Sequence, residues 1–123
     1  MLCGYAIDSA GFGLHHLVCQ TLVRLCGTPH AGTNAAILPH AVAFLARQEP
    51  ARYEALAAAL QTDREGLPAR IRDLGRPRPL SELGADGSKL DEAIEAMLRR
   101  PELARVPEPP DGEELRQLVE RAW

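Results

Sequence analysis

At 123 residues the chain fits one domain able to bury about two-thirds of its unfolded surface, and it is too short for two typical domains. Hydrophobic residues make up 46% and charged ones 25%, a balance that excludes a disordered chain. The formal net charge of -3, with Arg and Glu interspersed, offers no basic face for counterion release, so nucleic acid is not an expected partner.

Taken in order, the segment from Leu2 to Leu25 reads as a long buried helix broken near Gly11, with Leu14, Leu17, Val18, Leu22 and Leu25 at helical spacing. Asp8, His15, His16, Gln20 and Arg24 interrupt it before about 20 uncharged residues accumulate, so no membrane span is expected. A basic start and a cleavage pattern are lacking, which argues against a signal peptide. Gly27-Thr28-Pro29 ends the helix. A second helix is predicted from Thr33 or Asn34 as cap, through Ile37, Leu38, Val42, Phe44 and Leu45, to Arg47, with a kink at Pro39.

Pro50 opens a third, alanine-rich helix reaching Gln61. Asp63 is the expected cap of a fourth that Gly75 stops in the left-handed region, and Arg76 to Leu80 form a linker. Ser88 with Asp91 resembles a capping box for a fifth helix through Ile94, Met97 and Leu98, ended by Pro101. Asp111 with Glu114 opens the last helix, anchored by Leu115, Leu118 and Val119. Nowhere does a two-residue alternation last long enough for a sheet. The expected class is all-α, a single helical domain over residues 1–123, with the histidine-bearing helices in 1–47 and a helical tail in 50–123.

The three cysteines, Cys3, Cys19 and Cys26, form an odd set without a CxxC pair, which suits a reducing compartment, and cytoplasm is the expected location. Cys19 and Cys26 lie on an apolar stripe and read as small buried hydrophobes rather than nucleophiles. The Arg and Glu of the later helices read as solvated faces.

All four histidines fall within Gly11 to His40, GFGLHHLVCQTLVRLCGTPHAGTNAAILPH. On a helix His16 and Gln20 share a face, and His15 shares the next stripe with Cys19, Leu22 and Cys26. A chain that turns back at Pro29 can bring His30 opposite His16, and two neutral imidazoles facing each other make half of a metal site. Pattern alone favours the blander reading, in which a histidine on an apolar helix is a satisfied core or boundary residue. His40, beside Pro39, reads as a structural hydrogen-bonding residue.

The order of features changes that balance. A glycine-bearing helix into LHHLVCQTL, a spacer into GTPHA, then TNAAILPHA resembles the metal-binding region of iron-containing alcohol dehydrogenases, and the doubled histidine followed by Cys19 is most similar to the maleylacetate reductase type. LGRPRPLSELG, Leu74 to Gly84, resembles that family's helical tail. The resemblance implies a helical bundle like the carboxy-terminal domain of dehydroquinate synthase-like and iron-containing alcohol dehydrogenases. It also implies an amino-terminal dinucleotide-binding α/β domain, with the active site in the cleft between the two.

Also implied are three histidines and one aspartate around a divalent iron or zinc. Two of these histidines map onto His16 and His30, which keep the family's fourteen-residue separation. The aspartate and the third histidine belong to a segment preceding this one. A further family histidine falls on Gln20, and glutamine cannot exchange a proton near neutral pH, so a proton-relay role there is lost. His15, His16 and Gln20 are thus the candidate catalytic groups, and His16 and His30 the candidate metal ligands.

The intact family would take hydride from a nicotinamide cofactor, NAD(P)H, with the metal as Lewis acid. This chain holds no glycine-rich dinucleotide turn, so NAD(P) is expected only through a missing domain, and metal only weakly if at all. Alone it is not expected to be a competent dehydrogenase. The leading expectation is the helical domain of a maleylacetate reductase-like oxidoreductase, as a fragment or one piece of a split enzyme, associating with a separate nucleotide-binding subunit or as a homo-oligomer of at least a dimer through apolar surface at Leu2 to Phe12. The alternative is an orphaned domain that binds a small molecule, or acts as a redox-independent catalyst of isomerase, cyclase or lyase type, with His15, His16, His30 and Gln20 as the polar groups of its pocket.

Overall fold

The computed structural model describes residues 13–123. The expected helix over Leu2 to Phe12, with Cys3 and the apolar surface assigned to it, lies outside the described residues, as does the side chain of Leu45. Six α-helices follow: α1 Gly13–Cys26, α2 His30–Gln48, α3 Pro50–Ala59, α4 Leu67–Gly75, α5 Leu90–Leu98 and α6 Gly112–Arg121. Short 3-10 turns at Leu80–Leu83, Gly87–Lys89 and Pro101–Arg105 join the later ones. Among the described residues there is no strand, and the all-α expectation holds.

The two histidine-bearing helices form the centre. α1 packs on α2, α5 and the Pro101–Arg105 turn, and α2 packs in addition on α3, α4, α6 and the Leu80–Leu83 turn. The apolar positions read from the α1 sequence explain this, because Leu14, Leu17, Val18, Leu22 and Cys26 are all buried, while Ile37 and Val42 answer from α2. Met97, Leu115 and Val119, all fully buried, bring α5 and α6 onto the same core.

Gly27 ends α1 with φ +72, where a Cβ would be strained. The orphan carbonyl of Cys26 then accepts from the Asp86 amide at 3.0 Å, which ties the end of α1 to the loop before α5. Gly32 lets α2 approach the Leu80–Leu83 turn, since a Cβ there would meet the Leu83 side chain at 3.0 Å. The Leu80 amide donates to the Ala122 carbonyl at 2.8 Å, and the Ser81 hydroxyl donates to the Trp123 carbonyl at 2.6 Å, so this turn also holds the end of α6.

Several boundaries differ from expectation. α2 starts at His30, a turn earlier than Thr33 or Asn34. Thr33 is buried, and its hydroxyl donates to the Pro29 carbonyl at 2.6 Å while lying 2.6 Å from the Thr28 hydroxyl. Its side chain thus serves the helix start from inside the helix. Pro39 sits within α2 without ending it. α3 stops at Ala59, because Gln61 turns left-handed with φ 57. Asp63 caps a turn by accepting from the Gly66 amide at 2.7 Å, and α4 begins only at Leu67. Its left-handed stop is Arg76, φ 45, in place of Gly75.

The fifth helix is entered through Asp86 rather than a Ser88–Asp91 box, with the Asp86 carboxylate accepting from the Ser88 amide at 3.0 Å and the Ser88 hydroxyl at 2.6 Å. Asp91 instead pairs with Arg116 across the α5–α6 contact. The Asp111–Glu114 capping box forms as expected, with the Glu114 amide donating to Asp111 at 2.8 Å and the Asp111 amide donating to Glu114 at 3.1 Å.

Candidate functional site

Adjacent on α1, His15 and His16 leave the helix about 100° apart, and their surroundings are opposite in kind. His15 turns toward α2. Its Nε2 lies 3.3 Å from the Asn34 carbonyl and 3.5 Å from the Cys19 sulfur, and the Cys19 thiol points at the Thr33 carbonyl, 3.9 Å away. A carbonyl can only accept, so Nε2 of His15 carries the proton. Burial pushes the Cys19 thiol up to about 12 and raises Cys26 as well, with Asp86 and Glu92 adding to the latter, so neither sulfur is poised as a thiolate nucleophile.

His16 faces solvent. Its Nε2 lies 2.8 Å from Nε2 of Gln20, one turn on, while Oε1 of Gln20 accepts from the Arg100 guanidinium at 2.9 Å. Arg100 is in turn held by Glu102, at 3.1 and 3.4 Å. The direction of this chain follows from its charged end. A guanidinium only donates, so Gln20 must offer it the carbonyl oxygen, which leaves the amide nitrogen to donate to His16. His16 therefore presents Nε2 as a lone pair, the opposite tautomer to its neighbour. Gln20 keeps a hydrogen-bond link to His16 and cannot relay a proton.

These groups line a cleft of about 550 Å³ with Leu17, Arg105 and Val106. The structure thus brings His16 and Gln20 together with Arg100, Glu102 and Arg105, residues that the sequence analysis took for solvated surface. Arg100 reaches Gln20 from eighty positions away, and no local pattern carries that signal. His15 and His30 do not line the cleft. His30 is exposed at the first residue of α2 and, among the described residues, makes no hydrogen bond or ion pair with His16.

Among the described residues no three His, Cys, Asp or Glu side chains cluster as a metal site would require. The two residues that the resemblance implies as ligands, His16 and His30, carry donors of a kind that suits such a metal. His16 offers its Nε2 lone pair, the form of imidazole that binds a metal, and it and His30 are both solvent-facing. Gln20 would have to release that nitrogen first.

His40 sits elsewhere, half-buried on the far part of α2. Burial, then Arg72 and Arg121, lower its basicity below the ordinary 6.5. The expectation of a hydrogen-bonded structural histidine is replaced by that of a neutral imidazole facing two cations. No helix among the described residues is long and apolar enough to cross a membrane.

Comparison with known proteins covers the whole sequence. Residues 1–123 match the Fe-containing alcohol dehydrogenase family, C-terminal. Maleylacetate reductase 1 of Rhodococcus opacus is 33% identical over 99% of this chain and 34% of its own length, and the maleylacetate reductase of Rhizobium sp. (strain MTP-10005) is likewise 33% identical over 99% and 34%. The crystal structure of maleylacetate reductase from Agrobacterium tumefaciens superposes with a TM-score of 0.75 at 31% identity, over 89% of this chain and 31% of that one. The chain spans about a third of the length of the curated relatives it matches. It belongs to the iron-containing alcohol dehydrogenase family and corresponds to the C-terminal helical domain of maleylacetate reductase-like proteins.

Proposed function

We propose that this domain forms one wall of the active-site cleft of a metal-dependent, NAD(P)H-using reductase, and that His16 and His30 are its two contributions to a divalent iron or zinc site. The observation that carries this reading is the His16 imidazole, held on a rigid helix at the edge of a 550 Å³ cleft with its Nε2 lone pair turned outward to Gln20. The remaining ligands and the nicotinamide site would come from a nucleotide-binding half. A maleylacetate-like oxo acid is the substrate class suggested by the relatives' names.

When bound, the metal would supply Lewis acidity to a substrate oxygen. The chain's own residues orient and exclude. Gln20, fixed by Arg100, holds the His16 ring in one rotamer and tautomer. Glu102 keeps the Arg100 guanidinium in place and neutralises it. Leu17 and Val106 form apolar parts of the cleft wall that keep water from its floor. His15, bonded toward α2, fixes the helix that carries His16.

Titration of the chain with zinc by calorimetry tests this, because zinc prefers imidazole donors and two ligands give weak binding. Weak binding that falls about tenfold or more in both His16→Ala and His30→Ala is expected, by loss of one of two ligands. Zinc binding that is tight, or indifferent to both substitutions, would overturn the assignment.

A second reading is favoured by Gln20 itself, which occupies His16 Nε2 and departs from the family's histidine. In this reading the same cleft serves as a metal-free pocket for a small molecule, with His16 as the hydrogen-bonding base. Gln20→His separates the two: increased zinc affinity supports the metal wall, and unchanged affinity supports the pocket.

A further inference from the structure

A second cavity, of about 270 Å³, opens where α2, α4, the Arg76–Pro79 segment and the end of α6 meet, and it shares no residue with the His16 cleft. Four elements each bring one cationic or imidazole group to it: His40 from α2, Arg72 from α4, Arg78 from the connecting segment and Arg121 from the last turn of α6. No carboxylate side chain lines it. Among the described residues the side chains of Arg72 and Arg121 form no hydrogen bond and no ion pair, and that of Arg78 has only Glu82, its carbonyl at 3.3 Å and its carboxylate at 3.6 Å, outside the cavity lining. Burial first, and then both guanidiniums, depress the basicity of His40.

Arg72, Arg78 and Arg121 are all exposed, so water screens their mutual repulsion, and together with the half-buried His40 they make the cavity mouth positively charged. Elsewhere some arginines between elements are paired, Arg47 with Glu114, Arg116 with Asp91 and Arg100 with Glu102, whereas Arg24 and Arg105 line other clefts without an ion pair among the described residues. The remaining lining includes the apolar Pro39, Pro77 and Pro79. An oxyanion group fits the guanidinium forks, and a compact apolar body fits the proline surface.

We propose that this cavity binds a small organic oxyanion, a carboxylate or phosphate monoester, clamped by Arg72 and Arg121, with the His40 ring beside it and the Pro39, Pro77 and Pro79 surface against its apolar part. The site is separate from the His16 cleft, so a ligand here would act independently of the metal. Two arginine forks converging on one oxyanion explain why α4 and α6, which are far apart in sequence, present these side chains to a common space.

The test is calorimetric titration of the full chain, at low ionic strength, with inorganic phosphate and separately with benzoate. Saturable one-site binding is expected, weakened about tenfold in Arg72→Gln and in Arg121→Gln by loss of a charge-assisted contact, and unchanged in Arg99→Gln, whose guanidinium pairs with Glu95 on the exposed face of α5. Tighter phosphate than benzoate would assign a phosphate ligand, and the reverse a carboxylate. A His40 ring signal that moves on saturation in the native chain, and stays still in Arg72→Gln, would place the ligand in the cavity. Absence of saturable binding by both probes, or equal weakening by all three arginine substitutions, would overturn the proposal. Circular dichroism of each variant separates a lost site from a lost fold.

Discussion

The His16 cleft and the His40 cavity both place arginines beside an imidazole, and they use them in opposite ways. At the cleft, Arg100 is neutralised by Glu102, and its remaining donor sets the direction of a hydrogen-bond chain that ends on His16. At the cavity, Arg72 and Arg121 have no acceptor among the described residues, and their field falls on His40. A paired guanidinium orients its neighbours, whereas an unpaired one acts through its charge and leaves its donors open to a ligand.

The largest expected effect removes the frame common to both regions. Leu22 is fully buried at the centre of α1, and Leu22→Ala should cost about 2–5 kcal/mol in chemical denaturation by transfer and cavity costs together. If the two regions rest on one core, both sites should fail in that variant together. Asp111→Ala acts on one side only. It removes the cap of α6, the helix that carries Arg121, and should cost about 1 kcal/mol, weakening the His40 cavity before the His16 cleft.

Smaller effects sharpen the contrast further. His40 is less basic in the folded chain than the ordinary 6.5, so the unfolded chain binds the proton first as pH falls. Its contribution to stability is therefore full above about 6.5 and is lost as pH drops through the depressed folded value. Denaturation midpoints should fall over that window in the native chain and flatten in His40→Gln. A native profile that is level there would show that neither burial nor the Arg72 and Arg121 charges lower the basicity of the ring.

At the cleft the smallest change is a tautomer. With Arg100→Met, Gln20 is free to turn its amide, and His16 should lose its fixed Nδ1–H form. Nitrogen chemical shifts of the His16 ring read this directly, and a ring unchanged by Arg100→Met would break the chain of orientation argued here. Global stability should hardly move, since the arginine lies at the edge of the cleft.

Local chemistry is what the sequence made readable. Apolar spacing placed α1 and its buried face, Gly27-Thr28-Pro29 marked its end, Pro50 marked the start of α3, and the Asp111–Glu114 box formed as written, because each depends on residues within one or two turns. The family's helical domain was legible from LHHLVCQTL, GTPHA and TNAAILPHA, since that run is a local signature too. At the entry to α5 several side chains could serve as caps, and tertiary contacts chose among them. Asp86 prevailed over Ser88 because its amide also answers the Cys26 carbonyl and Asp91 is drawn to Arg116. Arg76 prevailed over Gly75 as the left-handed stop without any contact that explains it.

By itself, then, the sequence determined which segments become helices, which faces they bury and which family the chain resembles, all properties set by periodicity and near neighbours. Only the tertiary structure decided what the charged side chains do. Arg100 meets Gln20, and Arg72, Arg121 and His40 meet one another, across separations that helix periodicity does not encode, because electrostatic partners are chosen by the packing of whole helices and not by position along any one of them.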